Sequence, residues 1–344
     1  MLKRRKSVVG LDVGSHEVKA VELTDFGDAI KITGFGCARI VAGEDLSRTV
    51  ARLLHDAGIN TKRVVSAVSG RSVIVRYITL PLMSEEELKG ALRYEADKYI
   101  PFEIDEVTID GVKLEEFDPA TEGEKEMRVL LVAVKKDLLQ EHIHLVQEIG
   151  LTPMVVDIDS FALGNAYEFR NLNSPRVDDE DKVVALVDVG ASKTNINILR
   201  GKTSCFSREV YLGGNELTDS VARQLHVEPL EAEQLKRAPG EREVEVREAL
   251  SPALDDLANE IHLSFDYFEN QFDREVGEVY ISGGCVETPG LKESFEKVFD
   301  RPIQTWDPTE NIELNGDKID VEELKAHAGQ LHIAVGLGVR HLTT

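Results

Sequence analysis

The chain has 344 residues, enough for several subdomains that each bury a core. Its formal net charge of −23, from 63 acidic against 40 basic residues, repels nucleic-acid phosphates and excludes general nucleic-acid binding. Cys37, Cys205 and Cys285 stand far apart, which excludes a zinc knuckle or disulfide framework and suits reduced thiols.

The basic start, Lys3 to Lys6, is not followed by a clean apolar stretch, so it reads as a solvated terminus and not as a signal peptide. Residues 8–23 read as a buried strand, a tight turn at Asp12-Val13-Gly14-Ser15, and a second strand. A third strand is expected over 31–40, then a helix over 45–57 (Leu46, Val50, Leu53, Leu54) capped by Gly58. Residues 64–68 and 73–78 are strand-like. At Ser84 the pattern changes: Ser84 and Glu87 form a capping box, and Leu88, Ala91, Leu92, Ala96 and Tyr99 share a helix face that Pro101 ends. Two strands (106–110, 113–117), an acidic tip (118–126), a strand (128–134) and a helix (136–149) complete what looks like an inserted subdomain over 79–152. The longest apolar runs, such as 129–134, are strand-sized, so no transmembrane segment is expected.

A strand over 155–158 leads into a helix over 160–169, and the polar stretch 171–181 reads as a linker. Residues 184–199 then repeat the opening pattern, with Asp188-Val189-Gly190-Ala191 in the turn. The Gly213-Gly214 turn opens another helix, and a short segment follows Pro229. Next come a long helix over 246–272, a strand over 278–281 ending in Ser282-Gly283-Gly284, and a helix reaching Phe299. Residues 316–324 read as loop and turn, and 333–341 as an apolar helix containing Gly336 and Gly338.

The repeated turn suits a phosphate, because glycine permits unusual backbone geometry and consecutive N–H groups can form an anion nest. An aspartate beside a phosphate repels it unless a divalent cation intervenes, so Asp12 and Asp188 imply Mg²⁺, directly or through its water. Lys19 is placed to reach a phosphate as a point charge. There is no Walker A sequence and no GxGxxG after a strand, so P-loop and Rossmann readings fail.

Five segments in order resemble the actin, Hsp70 and sugar kinase superfamily: 10–19 and 187–198 as phosphate motifs, 155–163 and 334–340 as connecting motifs, and 280–291 as the adenosine motif. Within it, RYEADKYIPFEIDEV (93–107), DIDSFALGNA (157–166), the GGN turn (213–215) and AVGLGVR (334–340) resemble the PilM family of type IV pilus assembly. The resemblance implies an α/β, actin-like (RNase H-like) fold with a duplicated core and an FtsA-type IC subdomain. Residues 1–78 and 153–180, with 331–344 returning, would form domain IA, and 79–152 the IC insertion. Residues 181–205 and 276–330 would form IIA, and 206–275 IIB.

It also implies ATP with Mg²⁺ in the cleft, with at most slow hydrolysis. Asp12 and Asp188 would order the metal. Backbone N–H groups of Gly14, Ser15, Gly190, Ala191 and Ser192 would hold phosphates, helped by Lys19. Glu233 and Lys236 match positions on the ribose and adenine side. Gly283 and Gly284 would admit the nucleoside, with Gly213 nearby. Asp157 would face the attacking water as a catalytic residue. Small hydroxyl residues are commoner in the family where His16 and Glu17 stand. In that family a groove between the first core and the insertion takes the cytoplasmic N-terminal tail of PilN, and Tyr99, Pro101 and Phe102 would shape it. Tyr99 to Phe102 could equally end a helix and fill the insert's core. The implied protein is cytoplasmic, held at the inner membrane through that partner, and able to meet other pilus platform or motor components or to self-associate. An FtsA-like filament former and a small-molecule kinase are the alternatives. The kinase lacks a sugar-binding cluster, and the membrane helix expected of FtsA does not follow the second connecting motif.

Overall fold

The computed structural model describes residues 6–117, 125–172, 181–315 and 319–343. Residues 3–5, most of the acidic tip and most of the linker lie outside these. Two compact units emerge: one built from residues up to Ala67 and from Ile149 onward, the other spanning Val68–Glu148.

The larger unit opens with β1 (Lys6–Val13), β2 (Glu17–Asp25) and β3 (Ile30–Arg39), an antiparallel meander. Helix α1 (Leu46–Asp56) follows, capped by the Asp45 carboxylate on the Ser47 N–H at 2.9 Å. Strand β4 (Arg63–Val68) then pairs parallel to β1.

The inserted unit contains β5 (Val73–Pro81), α2 (Glu85–Ala96), β6 (Val107–Phe117), β7 (Glu126–Lys135) and α3 (Lys136–Glu148). Its sheet has the order β5-β7-β6, antiparallel throughout. The unit therefore begins earlier than the sequence reading placed it, because β5 pairs along its whole length with β7. The two strands expected over 106–117 are one strand with a register shift after Lys113. The Ser84 capping box is present in both directions, at 3.3 and 2.8 Å.

The chain returns through β8 (Thr152–Ile158) and α4 (Asp159–Asn171). A second meander follows: β9 (Val183–Val189), β10 (Thr194–Arg200) and β11 (Thr203–Val210). Then come α5 (Gly214–Leu225), α6 (Pro229–Arg237) and α7 (Glu243–Phe272), which accommodates Pro252. Strand β12 (Glu278–Ser282), α8 (Leu291–Phe299), β13 (Ile303–Thr305) and β14 (Glu313–Leu314) lead to α9 (Val321–His327) and α10 (His332–Thr343). Part of the stretch read as loop and turn is thus α9, begun by the Asp320 carboxylate, which accepts from the N–H groups of Glu322 and Glu323 at 3.0 and 3.1 Å.

The two main sheets repeat one plan. Their orders are β14-β3-β2-β1-β4-β8 and β11-β10-β9-β12-β13. In each, a buried central strand, β1 or β9, lies between an antiparallel hairpin partner and a parallel strand. Strand β9 alternates its partners: Val183, Ala185, Val187 and Val189 join the core under α5, α7 and α8, while Val184 and Leu186 pack with Leu163, Ala166 and Tyr167 of α4. Burying the Val and Leu side chains among them contributes about 1.5–3 kcal/mol each. Helix α10 lies against β1 and α4 at backbone contact: a Cβ on Gly10 would fall on the Ala334 carbonyl, and one on Gly336 on the Ala162 carbonyl.

Candidate nucleotide and metal site

The two repeated turns are held alike. The Gly14 N–H donates to the Glu17 carbonyl at 3.1 Å, and the Gly190 N–H to the Lys193 carbonyl at 3.0 Å. These two N–H groups close their turns. The N–H groups of Ser15, Ala191 and Ser192 enter no backbone hydrogen bond among the described residues, and these are the donors left for an anion. The second turn is fixed from behind by the start of α5, where the Gly214 N–H donates to Gly190 O at 2.9 Å and the Asn215 N–H to Ala191 O at 2.8 Å. The turns meet at Ser192 Oγ and Ser15 Oγ, 2.9 Å apart.

Asp12 and Asp188 sit one residue before the ends of β1 and β9, and both are buried. Asp12 faces Lys19 across the β1–β2 ladder, and the two form an ion pair at 3.0 Å. Burial works against the Lys19 charge, but the Asp12 carboxylate holds the ammonium above its usual range. Asp188 faces Asn195 instead. Burial pushes its carboxyl up to about 7, with Lys19 pulling it down and Asp12 adding to the rise. Asp159, the first residue of α4, adds to both carboxyls' burden and is itself paired with Lys193 at 2.9 Å, as Lys193 is with Glu209 at 2.8 Å.

Asp157 lies among other groups. Its carboxylate pairs with Arg340 Nε at 3.1 Å and accepts from the Ile158 N–H at 2.8 Å and Asn165 Nδ2 at 3.4 Å. Sequence reasoning weighed Asp157 and passed over Asp159 and Lys193. The signal for them was available, since Asp159 follows Asp157 in the same DID stretch and Lys193 closes the second turn.

On the far side of the second turn, Lys236 is buried and its three donors are spent: on Gly214 O at 3.0 Å, Thr218 Oγ1 at 2.8 Å and Glu233 Oε2 at 2.6 Å. Glu233 also receives Thr218 Oγ1 at 2.5 Å and Arg237 Nε at 2.7 Å. Burial would raise its carboxyl, yet the bonds from Lys236, Thr218 and Arg237 hold it down at about 2. Lys236 therefore braces α6 against α5. Gly213 is in extended backbone and donates to Glu216 Oε2 at 2.7 Å. Gly283 has φ of +100°, and any Cβ there would run into the Val189 carbonyl. Gly284 faces Gln330. Cys285 packs beside Gly214, and burial pushes its thiol up to about 11, so it stays protonated. All three cysteines are free.

The donor set suits a hydrated divalent cation. Among the described residues no group of three or more His, Cys, Asp and Glu side chains is arranged to hold a metal directly. What exists is the buried Asp188 carboxylate, flanked by two buried oxygens that accept no hydrogen bond from the protein, Asn195 Oδ1 and Ser282 Oγ. Mg²⁺ keeps most of its water and takes few protein carboxylates, which matches this arrangement.

In the inserted unit, Tyr99 is 38% exposed and Pro101 is exposed. Ile100 is buried, and Phe102 packs on the insert's core with Lys135 Nζ 4.6 Å from its ring centre. The α2 side of the sheet is filled by Met127, Val129, Leu131 and Ala133. The other face carries Val75, Tyr77, Val112, Leu130 and Val132, none of them buried.

This architecture, two like sheets that each present an aspartate turn, is an actin-like fold. Solved structures of that class overlay nearly the whole chain. Ethanolamine utilization protein EutJ from Carboxydothermus hydrogenoformans gives a TM-score of 0.57 at 14% identity, over 98% of this chain and 91% of that one. MreB5 of Spiroplasma citri bound to AMPPNP gives 0.55 at 11%, over 98% and 96%. Within the class, the family of the type IV pilus assembly protein PilM matches residues 10–342, and the chain belongs to that family. A PilM–PilN type IV pilus biogenesis complex contains a chain 26% identical, with a TM-score of 0.84 over 97% of this chain and 98% of that one. A curated relative, EutJ of Escherichia coli K12, is 28% identical over 144 residues, 39% of this chain and 49% of that protein, so the chain spans about half of its length. Among the described residues no helix is long and apolar enough to cross a membrane.

Proposed function

We propose that this chain is the cytoplasmic, ATP-binding member of a type IV pilus inner-membrane assembly complex. It binds ATP with Mg²⁺ between its two aspartate turns and is held at the membrane by the N-terminal tail of a PilN-like protein. The observation that carries the nucleotide reading is the pair of buried aspartates beside matched turns, three of whose N–H groups have no backbone partner. Family membership and the likeness to the chain solved with PilN support the partner. In the inserted unit, the half-buried apolar sheet face around Leu130 and Val132, with exposed Val112, is one candidate surface for the partner, and the exposed Tyr99-Pro101 edge is a second.

Nucleotide would bias the opening of the cleft, and with it the affinity for the tail. Calorimetric titration of Mg-ATP into the wild type and into Asp12→Ala and Asp188→Ala tests the cleft. Both variants are expected to lose at least tenfold in affinity, and unchanged affinity in both would overturn the site. Pull-down with cytoplasmic tail peptides, with and without Mg-ATP, tests the partner. No retention of any PilN-like tail would overturn that half of the reading, and equal retention in both conditions would remove nucleotide control.

A further inference from the structure

We propose that Asn195 and Ser282 are positioning residues for the divalent ion, holding its water on either side of Asp188; this rests on the nucleotide and metal reading above. Three observations converge. The first is register: Asn195 on β10 and Ser282 on β12 are the direct ladder partners of Asp188 on β9. Partners in register project to the same face of a sheet. That face is identified by the next rung, where Leu186 and Tyr280 pack against Leu163 and Tyr167 of α4. The three polar side chains form a row at the end of β9, β10 and β12, on the α4 side.

The second is the hydrogen-bond account. Asn195 is 4% exposed and Ser282 is 1% exposed, and Asn195 Oδ1 and Ser282 Oγ have no partner in the protein. A buried acceptor left unsatisfied costs free energy, and Leu or Ala there would avoid that cost. The rung below shows what a satisfied residue looks like: Asn197, two positions on, donates to Ser160 O at 2.7 Å and accepts from Ser204 Oγ at 2.6 Å. The third is the contrast with the other hairpin, where the residue opposite the aspartate is Lys19, a built-in cation. Opposite Asp188 the chain supplies neutral oxygen acceptors, which suit the hydrogens of metal-bound water and leave the positive charge to the ion.

The test uses the full chain with ATP and Mn²⁺ as the probe, following free Mn²⁺ by electron paramagnetic resonance. Ser282→Ala and Asn195→Leu are each expected to weaken Mn²⁺ binding to the ATP complex about tenfold, with Ser282→Thr retaining wild-type affinity. The melting temperature without metal or nucleotide is read alongside. Loss of an orphaned acceptor should leave it unchanged or higher, whereas a purely structural role would lower it. Variants that bind Mn²⁺ within twofold of the wild type overturn the assignment. Wild-type protein that adds nothing to the Mn²⁺ affinity of ATP alone overturns the underlying reading instead.

Discussion

The β1–β2 and β9–β10 hairpins share one backbone and differ in charge. Each closes its turn with the same glycine N–H bond, and each buries an aspartate at the same rung. Opposite Asp12 stands Lys19, and opposite Asp188 stands Asn195. Burial raises both carboxyls above the ordinary range, but the first aspartate has an ion-pair partner at 3.0 Å, whereas the second has a neutral residue opposite and its carboxyl is pushed up to about 7. A duplicated fold can thus keep its backbone geometry while changing the charge that stands opposite each aspartate.

The largest effect should come from breaking the compensated hairpin. Lys19→Met leaves Asp12 buried without its partner, and losing one member of a buried pair costs about 3–5 kcal/mol. Denaturant unfolding without nucleotide checks this. A loss below about 1 kcal/mol would mean the pair is effectively solvated.

The uncompensated hairpin should respond with the opposite sign. The Asp188 carboxyl stands at about 7 in the folded chain against an ordinary 3.8, so the unfolded chain releases this proton first as pH rises. Stability from this group is therefore full below about pH 4 and is lost as pH climbs through about 7. Asp188→Asn should stabilise the nucleotide-free protein at pH 8, by roughly 2–4 kcal/mol, and the gain should vanish near pH 4. Thermal melts across that range measure it. Mg-ATP should raise the melting temperature of the wild type and not of the variant.

What sequence could and could not show follows from these rungs. The hairpins were legible because a DxG turn between apolar strands is a local pattern, and its recurrence at Asp188 marks a duplication. Lys19 was legible as a cation, but its place opposite Asp12 depends on register. That register gives the expected phosphate ligand an ion-pair partner within the chain. Asn195 and Ser282 were not legible, because a neutral residue in an apolar strand gains meaning only from the carboxylate beside it. Asp159 was missed in favour of Asp157 for a similar reason: the strand-to-helix junction decides which of two alternating aspartates meets Lys193. The insertion began too late in the sequence reading because residues 73–78 read as a strand without naming the sheet they join.

The bracing of the second turn offers a smaller effect. Its carbonyls are held by the start of α5, and α5 is held by Lys236 and Glu233. The first turn, besides its own Gly14–Glu17 closing bond, is tied to the sheet by the Ile40 N–H, which donates to His16 O at 2.8 Å. Glu233→Gln should cost about 1.5–3 kcal/mol at neutral pH, the range for hydrogen bonds to a charged group. Because the Glu233 carboxyl is depressed from 4.5 to about 2, its contribution is complete above pH 4.5 and is lost as pH falls toward 2. The variant's acid-unfolding curve should therefore converge on that of the wild type near pH 2. Curves that stay parallel down to that pH would remove the charge from the explanation.

The smallest expected effect lies where the hairpins touch. Ser192 Oγ and Ser15 Oγ are 2.9 Å apart at an exposed position, so the bond competes with water. A double-mutant cycle through Ser15→Ala, Ser192→Ala and the double variant should give a coupling of about 0.5–1 kcal/mol without nucleotide. If phosphate binds between the turns, each hydroxyl can exchange its partner for a phosphate oxygen, and the coupling measured with saturating Mg-ATP should fall to near zero. Each single variant would then weaken nucleotide binding independently. A coupling that survives nucleotide would mean that the turns stay closed on each other, and that phosphate is held by the Ser15, Ala191 and Ser192 N–H groups without parting the hydroxyls. The cycle therefore reports which part of the two turns, hydroxyl or backbone, moves when the halves take up their ligand.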